Sequence, residues 1–243
     1  MEKRAIIVGA SSGIGYEMAR VLLRKGWRLG LAARRKDRLE ALSGEFPGQV
    51  VCAALDVTHD GTEQTLRQLI GRLGGMELYL HVAGVGWQNP ELEADREMLT
   101  VSTNVAGFAR LVGEAYRYFA EQGRGHIAVV TSIAGTKGLG VAPAYSATKA
   151  FGNAYVQALE QQARLRRLPI RFTDIRPGFV RTALLGDGKR YPMLMSAPKV
   201  ARLAVRAIER RRHVCVIDWR YRLLTSLWRM IPAWLWRRMP VSN

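Results

Sequence analysis

The chain has 243 residues, of which 48% are hydrophobic and 23% charged, a composition typical of one globular domain that argues against long disorder. Its two cysteines, Cys52 and Cys215, are isolated, which excludes a disulfide framework and a structural zinc site and predicts a cytoplasmic protein without bound metal. Lys and Arg number 37 against 20 Asp and Glu, and this net charge of +17 favours an anionic partner such as a membrane surface, a nucleic acid or an anionic ligand.

The predicted elements alternate between short apolar runs and longer amphipathic stretches. The apolar runs, rich in Val, Ile and Leu, are predicted strands buried on both faces: Ala5–Gly9, Arg28–Ala33, Gln49–Leu55, Glu77–Val82, His126–Thr131, Ile170–Ile175 and His213–Ile217. The amphipathic stretches are predicted helices: Ile14–Lys25, Thr62–Leu73, Arg96–Glu121, Tyr145–Arg167 and Pro198–Arg212.

This alternation predicts an α/β fold, a three-layer, doubly wound and mostly parallel sheet of about seven strands with helices on both faces. We expect residues 1–218 to form a single domain. The first apolar run is too short for the core of a secretion signal, and no stretch of the sequence is long and apolar enough to predict a membrane span.

A glycine-rich turn follows the first predicted strand and opens into the first predicted helix, with the spacing Gly-x-x-x-Gly-x-Gly. Glycine lets the chain turn tightly and approach a pyrophosphate, which then lies at the positive end of the helix. A purely structural turn is the alternative, but the position after the first strand of an α/β chain favours a dinucleotide site. The candidate cofactor residues in this turn are Gly9, Ser11, Ser12, Gly13, Ile14 and Gly15.

The second predicted strand ends at Ala33 and is followed by Arg34 and Arg35, with no Asp or Glu between Glu17 and Asp37. An acidic residue at this place accepts a hydrogen bond from the ribose of NAD, whereas a guanidinium offers paired donors to the 2′-phosphate of NADP. The alternative is a solvated basic start to the next helix. The position relative to the glycine turn favours NADP(H) as the cofactor.

Four polar residues further along the chain are the candidate catalytic residues. Asn104 lies within the long fourth helical stretch, Ser132 follows the fifth predicted strand, and Tyr145 and Lys149 lie one turn apart at the start of the next helix. A Tyr-x-x-x-Lys pair alone is a common coincidence, because positions four apart share a helix face. Combined with the glycine turn and a serine 13 residues before the tyrosine, however, the set resembles the short-chain dehydrogenase/reductase family over residues 5 to about 217.

The resemblance implies an oxidoreductase on a Rossmann-type sheet with Asn104, Ser132, Tyr145 and Lys149 as its catalytic set. Tyr145 would give its proton to a carbonyl oxygen during reduction and take one from an alcohol during oxidation. Because the pKa of tyrosine is ordinarily about 10, we expect Lys149 and the cationic nicotinamide to lower it. Lys149 would also bind the nicotinamide ribose, Ser132 would hold the substrate oxygen, and Asn104 would anchor a water that links Lys149 to solvent.

The resemblance also implies cofactor contacts at the ends of later strands. Asp56 and Val57 would border the adenine ring. The other candidates for contact with the cofactor are Ala83, Gly84, Asn104, Tyr145, Lys149, Pro177, Gly178, Val180 and Thr182. The fourth strand departs from the family pattern because His81 stands where an asparagine is typical, and we interpret this histidine as a structural residue rather than a proton shuttle.

Apolar residues near these motifs are candidates for the wall of the substrate pocket beside Ser132: Val85, Trp87, Leu139 and Met193. The segment Ala183–Ala197, which contains Met193, predicts a mobile lid because long loops without regular structure are usually functional. An apolar wall favours a hydrophobic ketone, aldehyde or secondary alcohol, including lipid-derived ones. Arg181, Lys189 and Arg190 leave a charged substrate open, and packing against the lid is the alternative role of the apolar side chains.

Residues 219–243 form a basic, Trp-rich extension outside the alternation of strands and helices. A helix is predicted over Trp219–Ile231 with Leu223, Leu227 and Met230 on one face, and Pro232 ends it. Tryptophan and arginine together suit an anionic membrane surface, and the segment is too short and too charged to span a bilayer. An oligomer interface or a cap over the substrate pocket is the second interpretation, and a nucleic-acid partner is the least favoured.

The sequence as a whole predicts an NADP-dependent oxidoreductase for an apolar carbonyl or alcohol substrate. We expect a cytoplasmic homo-oligomer that lies on the inner face of a membrane if the extension binds lipid. The alternative is a non-catalytic dinucleotide- or nucleic-acid-binding protein on the same fold, which the basic charge favours. Because a pure binding protein has no physical need for Asn104, Ser132, Tyr145 and Lys149 together, the catalytic interpretation is preferred.

Overall fold

The computed structural model describes residues 3–185 and 191–241. The strands in this part of the chain are β1 (Arg4–Val8), β2 (Arg28–Ala33), β3 (Val50–Ala54), β4 (Leu78–His81), β5 (Gly125–Val130), β6 (Ile170–Pro177), β7 (Val180–Arg181), β8 (Met195–Ser196) and β9 (Val214–Ile217). Seven of them form one sheet in the order β3-β2-β1-β4-β5-β6-β9, and every pair in it is parallel. Strands β7 and β8 pair with each other. The predicted doubly wound α/β fold is confirmed.

Helices cover both faces of the sheet: α1 (Gly13–Arg24), α2 (Lys36–Glu45), α3 (Thr62–Leu73), α4 (Ala94–Val101), α5 (Phe108–Gln122), α6 (Pro143–Leu165), α7 (Ala197–Glu209), α8 (Trp219–Met230) and α9 (Ala233–Trp236). On one face, Met18 and Leu22 of α1 pack in the same core as Val200 and Ala204 of α7. On the other face, α3, α5 and α6 form a second core. Apolar residues three and four apart explain this burial, because they share one face of a helix.

Two helical regions differ from the sequence-based prediction. Helix α2 was not predicted, because only Leu39 and Leu42 of its ten residues are buried and its amphipathic pattern is weak. The predicted helix Arg96–Glu121 is instead α4 and α5 joined by a π-helical turn over Ser102–Gly107. A π-turn widens the backbone spiral, and such turns occur frequently at functional sites.

The segment Ala183–Ala197 was predicted as a lid without regular structure, but its described residues include a 3₁₀ turn and a short strand. A 3₁₀ turn covers Ala183–Leu185, and β8 at the far end pairs with β7. Lys189 and Arg190, two of the candidates for a charged substrate, lie outside the described residues, whereas Arg181 is an exposed residue of β7.

The extension begins with α8, whose N-cap is Asp218, and continues into α9. The division of the chain into a domain over 1–218 and an extension over 219–243 stays a prediction. Within residues 3–185 and 191–241, no helix combines the length and the apolar composition that crossing a bilayer requires.

Candidate active site

A cleft of about 1210 Å³ opens at the carboxyl ends of the sheet strands. Ligands of doubly wound sheets bind at this edge, near the point where neighbouring strands lead to opposite faces. Here the first strand lies between β2 and β4, so that the turns after β1 and β4 border the same space. Every sequence-predicted cofactor residue lines this cleft except Asn104, which lies directly behind it.

The glycine turn forms one end of the cleft. Gly9 has a φ of +93°, and a Cβ atom there would lie 2.4 Å from the backbone nitrogen of Ala83. A Cβ atom on Gly15 would lie 2.2 Å from the carbonyl oxygen of Gly9. The close approach of these backbones leaves the start of α1 open to the cleft, and no acidic residue lies in the first turn of that helix. The turn therefore fits a pyrophosphate at a helix N-terminus.

Two arginines stand beside this turn. Arg35 donates hydrogen bonds from Nη2 to the hydroxyl oxygens of Ser12, at 3.0 Å, and Ser11, at 3.5 Å. Burial raises the pKa of Asp56, but two hydrogen bonds from Thr58 and the charge of Arg34 outweigh it, and the net pKa lies below the usual value. The guanidinium groups of Arg34 and Arg35 thus border the cleft where β2 ends. We call the region from the glycine turn to Arg34 and Arg35 the dinucleotide end.

Ser132 and Tyr145 meet at the centre of the cleft. Their hydroxyl groups share a hydrogen bond, and the serine Oγ also accepts from the backbone nitrogen of Ala134 at 3.1 Å. Ser132 is held there because it is the N-cap of a 3₁₀ turn that begins directly after β5. Burial raises the pKa of Tyr145 above 10, while the hydrogen bond from Ser132 lowers it by a smaller amount.

Lys149 lies behind Tyr145, one turn further along α6. Its Nζ is 5.6 Å from the centroid of the tyrosine ring and donates a hydrogen bond to the carbonyl oxygen of Val130 at 3.3 Å. Burial lowers the pKa of Lys149 to about 8, against a smaller opposing effect of the buried carboxylate of Asp174. The net pKa of Tyr145 is therefore raised and not lowered as the sequence predicted, because burial disfavours the charged forms of both residues.

Asn104 lies on the π-turn and borders the same small cavity as Lys149. Its side-chain amide forms two hydrogen bonds with the backbone of Val85, accepting from N at 2.9 Å and donating to O at 2.7 Å, and it also donates to Thr148 at 3.1 Å. A small cavity of about 10 Å³ is lined by Asn104, Thr131 and Lys149 among others. A space of this size holds about one water molecule.

His81 is buried beside this group. Its Nδ1 is hydrogen-bonded to the hydroxyl of Tyr79 at 2.9 Å, and its ring packs edge to face with that of Phe108, with the two centroids 4.9 Å apart. Burial, together with the nearby charge of Lys149, lowers the pKa of His81 to about 3, and among the described residues Nε2 has no hydrogen-bond partner. A neutral imidazole packed in this way agrees with the structural interpretation of His81.

The other end of the cleft is apolar, and the four predicted wall residues Val85, Trp87, Leu139 and Met193 all line it. Tyr191, from the segment predicted as a lid, lines it as well. Sequence reasoning missed further wall residues contributed from the end of the chain: Tyr221, Leu224, Trp228 and Val241. We call this region, from Trp87 to the residues of α8, the substrate end.

Helix α8 lines the substrate end and is held there by specific contacts. The hydroxyl of Tyr221 donates to the carbonyl oxygen of Pro192 at 2.8 Å and accepts from the backbone nitrogen of Phe179 at 3.2 Å. A Cβ atom on Gly178 would lie 2.2 Å from the ring of Tyr221, so only glycine allows this contact. Part of the extension therefore lines the cleft, in the position of the cap that the sequence left as an alternative.

Two hydrogen bonds fix the far part of the cap to the loop before α6. The indole nitrogen of Trp236 donates to the carbonyl oxygen of Gly138 at 2.8 Å, and Lys137 donates to that of Ile231 at 2.9 Å. The rings of Trp228 and Trp236 pack edge to face, with their centroids 5.3 Å apart. The loop that contains Leu139 is thus joined to α9 and to the residue that follows α8.

Comparisons with known proteins agree with this architecture. A family model described as short chain dehydrogenase matches residues 3–190. An uncharacterized oxidoreductase of Myxococcus xanthus is 33% identical, and the match covers 95% of this chain and 93% of that protein. The structure of an alcohol dehydrogenase from the archaeon Thermococcus sibiricus, complexed with 5-hydroxy-NADP, is 27% identical with a TM-score of 0.79, covering 89% of this chain and 96% of that one. A short chain dehydrogenase/reductase from Burkholderia phymatum in complex with NAD is 22% identical with a TM-score of 0.85, covering 100% and 97%.

Proposed function

The chain belongs to the short chain dehydrogenase family, and from this premise we propose that it is an NADP-dependent oxidoreductase for apolar ketones, aldehydes or secondary alcohols, lipid-derived ones included. Membership of the family makes it an oxidoreductase that acts on alcohol and carbonyl groups and uses a nicotinamide dinucleotide. The choice of NADP, the apolar substrate and the role of each residue are the proposal. The observation that carries it is the hydrogen-bonded pair of Ser132 and Tyr145, backed by Lys149, at the centre of the cleft.

The residues divide the chemistry of carbonyl reduction between them. The glycine turn and the cleft residues beyond it would hold a nicotinamide dinucleotide, which would supply a hydride to the carbonyl carbon. Ser132 holds the carbonyl oxygen as negative charge develops on it, and Tyr145 gives that oxygen its proton. The raised pKa of Tyr145 keeps the hydroxyl protonated before the reaction, which is the form that reduction requires. Oxidation of an alcohol runs the same steps backwards.

Lys149, Asn104 and the small cavity between them form the route by which Tyr145 recovers its proton. The ammonium of Lys149 lies close enough to stabilise the phenolate left after the transfer. A water in the cavity would accept a hydrogen bond from Lys149 and contact Asn104. The two hydrogen bonds with Val85 fix the orientation of the Asn104 side chain. Asn104 thus acts by positioning this water.

Arg34 and Arg35 support NADP over NAD. Both line the cleft beside Ser11 and Ser12, and Arg35 already donates to these hydroxyl groups. A 2′-phosphate carries a charge that paired guanidinium donors match, whereas a ribose hydroxyl gains little from them. The neighbouring structures hold one cofactor or the other, 5-hydroxy-NADP in the archaeal dehydrogenase and NAD in the Burkholderia protein, so the preference rests on this chain's own residues.

Cofactor oxidation with a panel of medium-chain ketones and aldehydes tests the proposal. We expect NADPH to be consumed with at least one member and NADH to be a poorer donor. NADPH that binds without turnover on any member would favour the alternative, a non-catalytic dinucleotide-binding protein on the same fold. The expected cytoplasmic location and homo-oligomeric state stay predictions.

A further inference from the structure

Helix α8 presents two different faces. Its inner face contributes Tyr221, Leu224 and Trp228 to the substrate end of the cleft. Its outer face carries large apolar side chains in solvent: Trp219 is 67% exposed, Leu223 56%, Leu227 47% and Met230 71%. Apolar side chains that are scattered singly over a surface need no explanation, but a contiguous group on one helix indicates a binding surface.

The spacing of these four residues makes them a stripe, because 3.6 residues per turn place all four within an arc of about 80°. Arg220 lies at one edge of the stripe, and Arg222 and Arg229 lie at the other. The short helix α9 extends the surface with Trp234, which is 60% exposed and has the guanidinium of Arg238 5.8 Å from its ring centroid. Residues 219–243 contain five arginines and no acidic residue. We call this outer surface of α8 and α9 the cap surface.

We propose that the cap surface docks on an anionic lipid membrane and that the enzyme takes a long-chain carbonyl or alcohol substrate from that membrane. A bilayer interface matches both the exposed apolar side chains of the cap surface and its arginines. Leucine and methionine side chains enter the region where headgroups meet acyl chains, tryptophan rings lie at headgroup depth, and arginines pair with anionic headgroups. The charge and the apolar stripe are thus used together.

Charge argues against the other occupants of this surface. A second copy of the chain would bring the same arginines face to face, since a two-fold interface places one patch against itself, and like charges in contact oppose association. A nucleic acid would bind the arginines but leave the stripe of Leu223, Leu227 and Met230 in water.

The position of the cap surface connects docking to the chemistry. The same helix forms the wall of the substrate end and the surface proposed to meet the lipid, so docking would bring the substrate end within one helix diameter, about 10 Å, of the bilayer. Trp87 and Leu184, which line the cleft, are themselves 38% and 43% exposed. This substrate class rests on the proposed function, whereas docking itself does not.

Sedimentation of the full-length protein with vesicles tests docking directly. We expect binding to vesicles of phosphatidylcholine with phosphatidylserine, much weaker binding to phosphatidylcholine alone, and partial loss in high salt. The double variant Arg222→Gln/Arg229→Gln should weaken binding by about 30-fold, since each arginine near the surface contributes about 1 kcal/mol. The matched control is Arg210→Gln/Arg212→Gln, which removes the same charge from exposed positions between α7 and β9 and should have little effect.

A second pair of variants tests the apolar stripe. Leu223→Gln/Met230→Gln keeps good helix formers at exposed positions and should weaken vesicle binding by about tenfold or more. Its control is Met98→Gln/Leu165→Gln, at residues that are 63% and 79% exposed on α4 and α6, and this pair should bind like the parent. Equal losses in test and control pairs, or binding that ignores lipid charge, would overturn the proposal. Dissociation of an oligomer by the stripe variant would instead make a second copy the occupant.

Activity on two ketones separates this inference from the proposed function. The stripe variant should keep NADPH turnover on a short, water-soluble ketone and lose at least about tenfold on a long-chain ketone dissolved in vesicles. Turnover of the short ketone without any vesicle binding overturns docking and leaves the proposed function standing. Vesicle binding without turnover of either ketone overturns the proposed function and leaves docking standing. Equal turnover of the long-chain ketone by parent and stripe variant would overturn the proposed substrate source.

Discussion

The two ends of the cleft are built differently, one mainly from backbone and the other mainly from side chains. The dinucleotide end is mostly backbone: two glycines bring the turn after β1 against α1 and the end of β4, all on one edge of the sheet. The substrate end is made of side chains, and residues far apart in sequence fix it, such as Tyr221 to Pro192 and Trp236 to Gly138. Substitutions at the two ends should therefore separate cofactor binding from substrate binding.

The largest effect is expected where the two ends meet, at Tyr145. The Tyr145→Phe variant keeps the ring and removes the proton donor, so NADPH should still bind while kcat falls by about 10²-fold or more. Measured rates of NADPH oxidation and NADPH titration check both parts. Tyr155→Phe is the matched control, because this tyrosine is not among the residues that line the cleft and its hydroxyl donates to the carbonyl oxygen of Ala109 at 3.4 Å. Near-parental turnover in Tyr145→Phe would remove the residue from the mechanism.

The next largest effect is expected at the dinucleotide end. Replacing Arg34 and Arg35 together by alanine should weaken NADPH binding by about 10- to 100-fold, since hydrogen bonds to charged groups contribute about 1.5–3 kcal/mol each and both side chains are exposed. NADH binding and the KM of the carbonyl substrate should change little. Arg38→Ala, an exposed arginine on α2 outside the cleft, is the control. Equal weakening of both cofactors would mean that the pair supports the fold rather than the 2′-phosphate.

A third prediction uses the pKa of Lys149, which burial lowers to about 8. Below this pH the ammonium is charged and supports proton transfer to Tyr145; above it the charge is lost. Because burial raises the pKa of Tyr145, the tyrosine keeps its own proton over the same range. The kcat/KM for reduction should therefore fall as pH rises through about 8, by at most tenfold per pH unit.

The variant Lys149→Arg checks the origin of this pH dependence. Arginine stays protonated at any pH a protein survives, so the fall near pH 8 should disappear even if the overall rate is lower. A fall that persists unchanged in this variant would assign it to another group.

The smallest effect is expected at the substrate end. Tyr221→Phe removes the hydroxyl that joins α8 to Pro192 and Phe179, and it should raise the KM of the carbonyl substrate about threefold to tenfold. NADPH affinity should stay the same, which a fluorescence titration checks. A loss of NADPH affinity as large as that of substrate would contradict the separation of the two ends.

The dinucleotide end could be predicted from the sequence better than the substrate end, because its motifs are local. The glycine turn and the relation of Tyr145 to Lys149 depend on spacings of a few residues, which a local pattern records. The contact of Trp236 with Gly138 joins residues 98 positions apart, and no local pattern predicts which face of α8 meets the cleft. The sequence left the cap as one alternative for this reason.

Two local features were also missed, each for a physical reason. Helix α2 buries only Leu39 and Leu42, so its periodicity is too weak to detect. The π-turn at Asn104 interrupts a stretch whose apolar pattern continues through it, and the hydrogen bonds that Asn104 forms there with the backbone of Val85 join residues 19 positions apart. The pKa of Tyr145 depends on burial in three dimensions, which spacing alone does not give.

Transfer of a labelled hydride tests the central claim most directly. The protein is incubated with NADPH deuterated at C4 of the nicotinamide and with each carbonyl of the panel, and the alcohol is examined by mass spectrometry. The proposed function predicts deuterium on the carbinol carbon of at least one product, formed by the parent and by Tyr155→Phe and strongly reduced in Tyr145→Phe. NADPH that binds while no product gains deuterium would contradict the claim that this cleft catalyses hydride transfer.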